Sequence, residues 1–187
     1  MLQKKDKSSI LFFTKNSFKI AELIFNYPNK TFHIRDLAKE SGLSTTTVIN
    51  SIEELNKFRI IKINKTKVTT DFKADLDSEA YTFYKKVFNL YRLERYLLIE
   101  TLKDAFRPET IVLFGSFAKG EDIEESDIDI LIITKNEYKE ELSFSTYEKM
   151  LNRKINLHIL QSLDKSSDEF KNAVANGIVL YGYLKVI

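Results

Sequence analysis

Apolar residues along this chain switch between helical spacing and short continuous runs, and each switch marks an element. Phe18, Ala21, Ile24 and Phe25 recur at helical steps over residues 17–26, and Tyr27-Pro28-Asn29 stops that helix. Ile34, Leu37 and Ala38 stripe a second helix over 34–41; Gly42 supplies the left-handed residue after it, and Ser44 is placed to cap the next. That third helix, 45–58, buries Val48, Ile52 and Leu55 and shows Thr45, Thr46, Asn50, Ser51 and Lys57 on its other face. Residues 60–63 and 68–72 read as strands around the turn Asn64-Lys65-Thr66-Lys67. From 78 to 106, Tyr81, Tyr84, Phe88, Tyr91, Leu93, Leu97, Leu98 and Leu102 fall at three- and four-residue steps with no Gly or Pro, which predicts one long helix with an apolar stripe. A strand at 111–114, a Gly115-Ser116 break, a second strand at 128–134 and a third at 153–159 follow. Residues 163–176 read as a helix capped by Ser162 or Asp164 and ended by Gly177, with a last strand at 178–181.

Composition narrows the class. The chain has 187 residues with 43% hydrophobic content, enough for two small cores, and no cysteine, which excludes disulfides and thiolate metal sites. No stretch approaches the roughly 18 apolar residues of a membrane span, and the opening residues carry no secretory pattern, so a cytoplasmic protein is expected. Net charge is +2, but residues 1–72 hold 13 Lys+Arg against 7 Asp+Glu, or +6, which leaves 16 basic and 20 acidic residues, or −4, in the remainder. A basic first half suits a polyanion and an acidic second half suits cations.

The densest chemistry lies in residues 111–133. Peptide N–H groups at a Gly115-Ser116 turn are suited to phosphate oxygens. Side chains alternate across a strand, so Asp127 and Asp129 point to one face while Ile128 and Ile130 point to the other. Two crowded carboxylates favour a hard divalent cation such as Mg²⁺ or Mn²⁺, which takes one or two carboxylates together with substrate phosphates. The plainer alternative for 121–125 is a solvated acidic loop.

Gly115-Ser116, Ala118, Lys119-Gly120, Ser126-Asp127 and Asp129 together resemble the signature of the minimal nucleotidyltransferases of the DNA polymerase β superfamily, with Lys119 in place of the commoner Arg. The resemblance implies transfer of a nucleotidyl group from a nucleoside triphosphate, with catalytic Asp127 and Asp129 on Mg²⁺ and Gly115, Ser116 and Lys119 on the nucleotide. It also implies a third carboxylate on a later strand. Here that position is Asn156, an amide with no charge and no use as a base, which puts general-base assistance worth roughly 10²–10⁴ in rate in doubt. His158 shares the strand face of Asn156 and either packs or serves as base or nucleotide contact.

Three helices, the Ser41-Gly42-Leu43-Ser44 turn and a lysine-tipped hairpin resemble a winged helix-turn-helix domain. That likeness implies double-stranded DNA, with Arg35, Lys39, Lys57, Lys65 and Lys67 on phosphates and Thr45, Thr46 and Asn50 at base edges. A winged helix used for protein contacts or dimerisation is the alternative. The expected fold class is therefore α+β: a winged helix-turn-helix over 1–75, a long connecting helix over 76–107, and a nucleotidyltransferase-like mixed sheet with flanking helices over 108–187. Nearly the whole chain resembles archaeal proteins that join these two parts. Three functions compete: a nucleotidyltransferase acting on an unknown hydroxyl acceptor, a DNA-binding regulator that senses nucleotide through a degenerate transferase, and an antitoxin-like protein bound to a toxin-like helical partner. A homodimer is also compatible with a winged-helix reader.

Overall fold

The first helix is held at its start by a carboxylate forty residues away in sequence. In the computed structural model, which describes residues 9–10, 12–66, 69–136 and 143–185, strand β1 (Ser9–Ile10) pairs with β2 (Phe13–Thr14), and β2 runs into helix α1 (Lys15–Asn26). Glu54 accepts from the Thr14 N–H and hydroxyl, each at 3.0 Å, and from the Ser17 hydroxyl at 2.7 Å. Strand β3 (Phe32–His33) leads into α2 (Ile34–Ser41). The left-handed Gly42, at φ +68°, ends α2, and Ser44 caps α3 (Thr45–Lys57) by accepting from the Thr47 N–H at 3.2 Å. Glu54 lies on α3, so its hydrogen bonds tie α3 to the start of α1. Strands β4 (Ile61–Lys65) and β5 (Thr70–Ala74) form an antiparallel hairpin, and β3 adds to β5 on the other side, in the order β3-β5-β4. These elements belong to one compact unit, Met1–Lys85.

Two expectations for this unit change. Ser51 is 3% exposed, not on the open face of α3. It lies three residues after Val48 and four before Leu55, inside the buried stripe, where a small side chain fits between larger ones. The second strand of the hairpin starts at Thr70, and Lys67 and Val68 lie outside the described residues.

The single long helix is two helices, α4 (Glu79–Arg95) and α5 (Leu98–Phe106). Leu97 stands between them at φ +57° and is 59% exposed, so it leaves the stripe in which the pattern places it. The periodicity hides the break because Leu98, Leu102 and Phe106 resume the apolar spacing at once and are buried. Helix α4 also buries polar residues: Lys85, Asn89 and Arg92 are each 4% exposed or less. Lys85 donates to the Phe25 carbonyl at 3.0 Å.

The second unit, Lys86–Ile187, is a mixed sheet with helices on both faces. In chain order it continues with β6 (Thr110–Phe114), α6 (Gly115–Lys119), β7 (Ile128–Ile133), α7 (Ser145–Leu151), β8 (Ile155–Leu160), α8 (Asp168–Ala175) and β9 (Ile178–Gly182). The sheet order is β8-β7-β6-β9; β7 and β8 are parallel, and the other two pairs are antiparallel. Ile111, Leu113, Ile128, Ile130 and Ile132 pack with α5, Phe117 of α6 and Leu151 of α7 on one face. Val112, Phe114, Leu131 and Ile133 pack with Leu163 and Val174 on the other. Helix α7 is absent from the pattern-based expectation. Helix α8 starts later than expected, capped by Ser167, while Ser162 donates to Asp164 at 2.9 Å instead of capping.

Residues 121–125 are not simply a solvated acidic loop. Asp122 is 2% exposed and accepts from Asn89 at 2.8 Å and from Arg153 at 3.2 Å; the same Asn89 amide donates to the Phe117 carbonyl at 2.9 Å. Arg92 donates to the Met150 carbonyl at 2.7 Å. One buried carboxylate thus ties together α4, the loop after α6 and the segment before β8. Removing one partner of a buried pair costs about 3–5 kcal/mol because the remaining charge stays uncompensated. We expect Arg153→Met to destabilise the second unit by that amount, read as a lower chemical-denaturation midpoint.

Candidate functional site

The site forms where β6 ends, α6 begins and β7 and β8 lie side by side. Pairing sets Asp129 opposite Phe114 on one side and Asn156 on the other. Asp129, Asn156 and His158 all belong to the sheet face that also carries Phe114 and Leu131. Asp129 therefore projects beside the turn at Gly115 and away from the face covered by α5.

Contacts fix the Asp129 carboxylate on two sides. Gly115 has φ +75°, and a Cβ built there would lie 2.5 Å from Asp129 Oδ2, so only glycine lets the carboxylate lie against the turn. The other oxygen, Oδ1, accepts from the Asn156 amide at 3.0 Å. His158 Nε2 stands 4.0 Å from the same oxygen, beyond hydrogen-bond range, and its ring packs at 5.3 Å from Phe114 and 5.2 Å from Phe170 of α8. His158 is thus a packed ring with one edge turned to the carboxylate; its side chain keeps 33% exposure.

The remaining expected residues of this site are open to solvent. Asp127 is exposed just before β7, on a loop fixed by the Ile128 N–H donating to the Lys154 carbonyl at 2.8 Å and by Ser126, which accepts from the Ile123 N–H at 3.0 Å. Ser116 is half-buried in the first turn of α6, and its hydroxyl has no partner among the described residues. Lys119, at the end of α6, is exposed and unpaired among the described residues. The Gly115-Ser116 break is itself the start of helix α6.

The donor set suits one hard divalent cation. Asp127 and Asp129 are the carboxylates that could offer oxygen ligands to it, and the close approach at Gly115 brings one of them to the turn. Among the described residues no group of three His, Cys, Asp or Glu side chains forms a metal cluster, and Asn156 stands where a third carboxylate is expected.

Sequence reasoning missed the groups that place this site. Asp122, Asn89 and Arg153 belong to none of the motifs that the sequence offers, and nothing in the spacing of an acidic run distinguishes its one buried member. Helix α7 had a usable signal in Tyr147, Met150 and Leu151 at three- and four-residue steps. Its Glu148 accepts from the Ile155 N–H at 3.1 Å and so anchors the start of β8.

The residues expected to face DNA lie in the first unit. Thr45, Thr46 and Asn50 are exposed along α3, with Ile49 between them 41% exposed. Arg35, Lys39, Lys57 and Lys65 are exposed and have no ion-pair partner among the described residues. Two other lysines are already engaged. Lys30 pairs with Glu40 at 2.7 Å, and Lys62 reaches Asp77 at 2.5 Å and Asp75 at 3.1 Å, hydrogen bonds that raise its pKa above the ordinary lysine value. Lys67 lies outside the described residues. No helix among the described residues is long and apolar enough to cross a membrane.

Residues 97–184 match a protein-family model described as "Polymerase beta, Nucleotidyltransferase". A protein of Methanocaldococcus jannaschii, whose name provisionally calls it a protein adenylyltransferase, is 43% identical over 70 residues, which covers 33% of this chain and 67% of that protein. No solved structure matches the chain significantly.

Two glycines allow the geometry to be tested. Gly42 also has positive φ, but a Cβ there meets nothing within 4 Å. We expect Gly42→Ala to cost about 1–2 kcal/mol, the conformational term alone, and Gly115→Ala to cost its own unit more, because Asp129 must also move. Denaturant unfolding of the two variants gives the comparison, and equal losses would contradict the close approach at Gly115.

Proposed function

Because the chain belongs, through residues 97–184, to the polymerase beta nucleotidyltransferase family, we propose that it transfers a nucleotidyl group from a nucleoside triphosphate to a hydroxyl acceptor. The observation that carries this reading is the Asp129 carboxylate held against the Gly115 turn, within the spacing Gly115-Ser116 to Asp127-x-Asp129. Likeness to a relative named as a protein adenylyltransferase favours ATP as donor and a protein side-chain hydroxyl as acceptor.

Polymerase beta nucleotidyltransferases use a divalent metal with the triphosphate, and here Asp127 and Asp129 would hold it, neutralising charge on the phosphates. Gly115 leaves room for the Asp129 carboxylate at the turn, while Ser116 offers a hydroxyl and Lys119 an ammonium that have no partner among the described residues. In the transfer the acceptor oxygen bonds to the α-phosphorus, the bond from that phosphorus to the bridging oxygen breaks, pyrophosphate leaves, and the hydroxyl proton passes to solvent. Asn156 takes no proton in this scheme.

For the first unit the proposal is a winged helix-turn-helix that binds double-stranded DNA. Its support is the three-helix order followed by the β4–β5 hairpin, the exposed Thr45, Thr46 and Asn50 on α3, and the cations Arg35, Lys39, Lys57 and Lys65, which have no ion-pair partner among the described residues. The second reading, a DNA-binding regulator that holds nucleotide without transferring it, is favoured by one observation: Asn156 in the third-carboxylate position, bonded to Asp129.

Incubation with labelled ATP, GTP, CTP or UTP and Mg²⁺ or Mn²⁺, with and without cell extract, separates the two. Transfer of label by the wild type and its loss in Asp127→Asn/Asp129→Asn is the expected result; binding without transfer favours the regulator, and no binding overturns both. For DNA, the logarithm of affinity should fall linearly with that of salt concentration. Replacing Lys57 and Lys65 by Ala should lower the slope by about 1 each if both meet phosphates.

A further inference from the structure

The Asp129 carboxylate is held on two sides. One oxygen lies against Gly115, and the other accepts from the Asn156 amide at 3.0 Å. The parallel register of β7 and β8 sets the two residues side by side, so the contact is built into the sheet and does not depend on a flexible loop. The amide orientation follows from the pairing: turned over, it would set its own oxygen against a carboxylate oxygen. The position between residues 129 and 156 is therefore filled by N–H hydrogens carrying partial positive charge.

We infer that Asn156 makes this a one-cation site, its amide standing where a second, acceptor-side cation would have to be held. The inference rests on the nucleotidyl-transfer reading above and deepens it. A cation bridging Asp129 Oδ1 and residue 156 has to break the 3.0 Å hydrogen bond and reverse the amide, and it then gains a neutral carbonyl oxygen in place of a charged carboxylate. His158, at 4.0 Å from the same oxygen, is wedged between Phe114 and Phe170 and adds no anionic ligand. The cation that enters with the triphosphate faces no such barrier, because Asp127 is exposed and Asp129 Oδ2 accepts no hydrogen bond among the described residues that would have to be broken. Asn156 is accordingly a positioning residue, which keeps Asp129 aimed at the turn in the absence of metal.

The test counts ions. The full chain is saturated with the non-hydrolysable donor α,β-methylene-ATP and titrated with Mn²⁺, with bound ion followed by electron paramagnetic resonance. The wild type is expected to bind one Mn²⁺ per chain with an uncoupled spectrum, and Asn156→Asp to bind two, with the dipolar broadening of two ions roughly 3.5–4 Å apart. Asn156→Ala removes the hydrogen bond without adding charge and is expected to keep one ion at weaker affinity. Two ions on the wild type overturn the inference while leaving nucleotidyl transfer intact, and so does a single ion on a folded Asn156→Asp. No bound ion on the wild type overturns the count together with the reading beneath it. If Asn156→Asp does not fold, the wild-type count and the affinity of Asn156→Ala still decide the matter.

Discussion

The arrangement of the second unit depends on one buried carboxylate. Asp122 lies in the loop that connects the glycine turn to the strand carrying Asp129, and it is held by Asn89 from α4 and Arg153 from the approach to β8. A carboxylate at 2% exposure is tolerated only with its charge paired and its lone pairs satisfied. Three segments distant in sequence must therefore meet before the loop has a stable place. Because Asn89 also donates to the carbonyl of Phe117, the same amide fixes α6 and the loop that follows it. The relation between Gly115 and Asp129 is thus set by groups outside the glycine turn and its carboxylate.

In front of that network the candidate site rests on few atoms. A glycine without a Cβ, a carboxylate pressed against it and an amide on the neighbouring strand define the position of one oxygen pair. An amide at position 156 has a consequence that a carboxylate would not have: the cluster is at ease without metal. Two adjacent carboxylates repel until a cation arrives, whereas an amide stabilises its neighbour through a hydrogen bond to a charged acceptor.

The two halves of the chain differ in how they use charge. In the first unit some lysines are consumed by folding, as Lys30 and Lys62 are, while Arg35, Lys39, Lys57 and Lys65 remain unpaired among the described residues. Glu54 holds α1 and α3 together through hydroxyls and a peptide N–H. The uneven charge seen in sequence thus reflects a surplus of cations on the surface of this unit. In the second unit the charges that hold the loop in place, Asp122 and Arg153, are buried.

The sequence by itself determined the order of most elements and the residues of the candidate site. Helices α1 to α3, the hairpin, β6, β7 and the face shared by Asn156 and His158 were all legible, because periodicity and alternation are local properties and the motif is compact. The break at Leu97 was not legible, since the apolar spacing continues through it and the choice to bend belongs to the packing of Leu98, Leu102 and Phe106. Ser51 reads as polar and therefore outward, yet its place in the stripe of α3 buries it. Lys85, Asn89 and Arg92 were hidden for the same reason, and with them the network around Asp122. Only the tertiary structure decided which polar side chains lie inside, because burial of a charge is settled by partners that arrive from elsewhere in the chain.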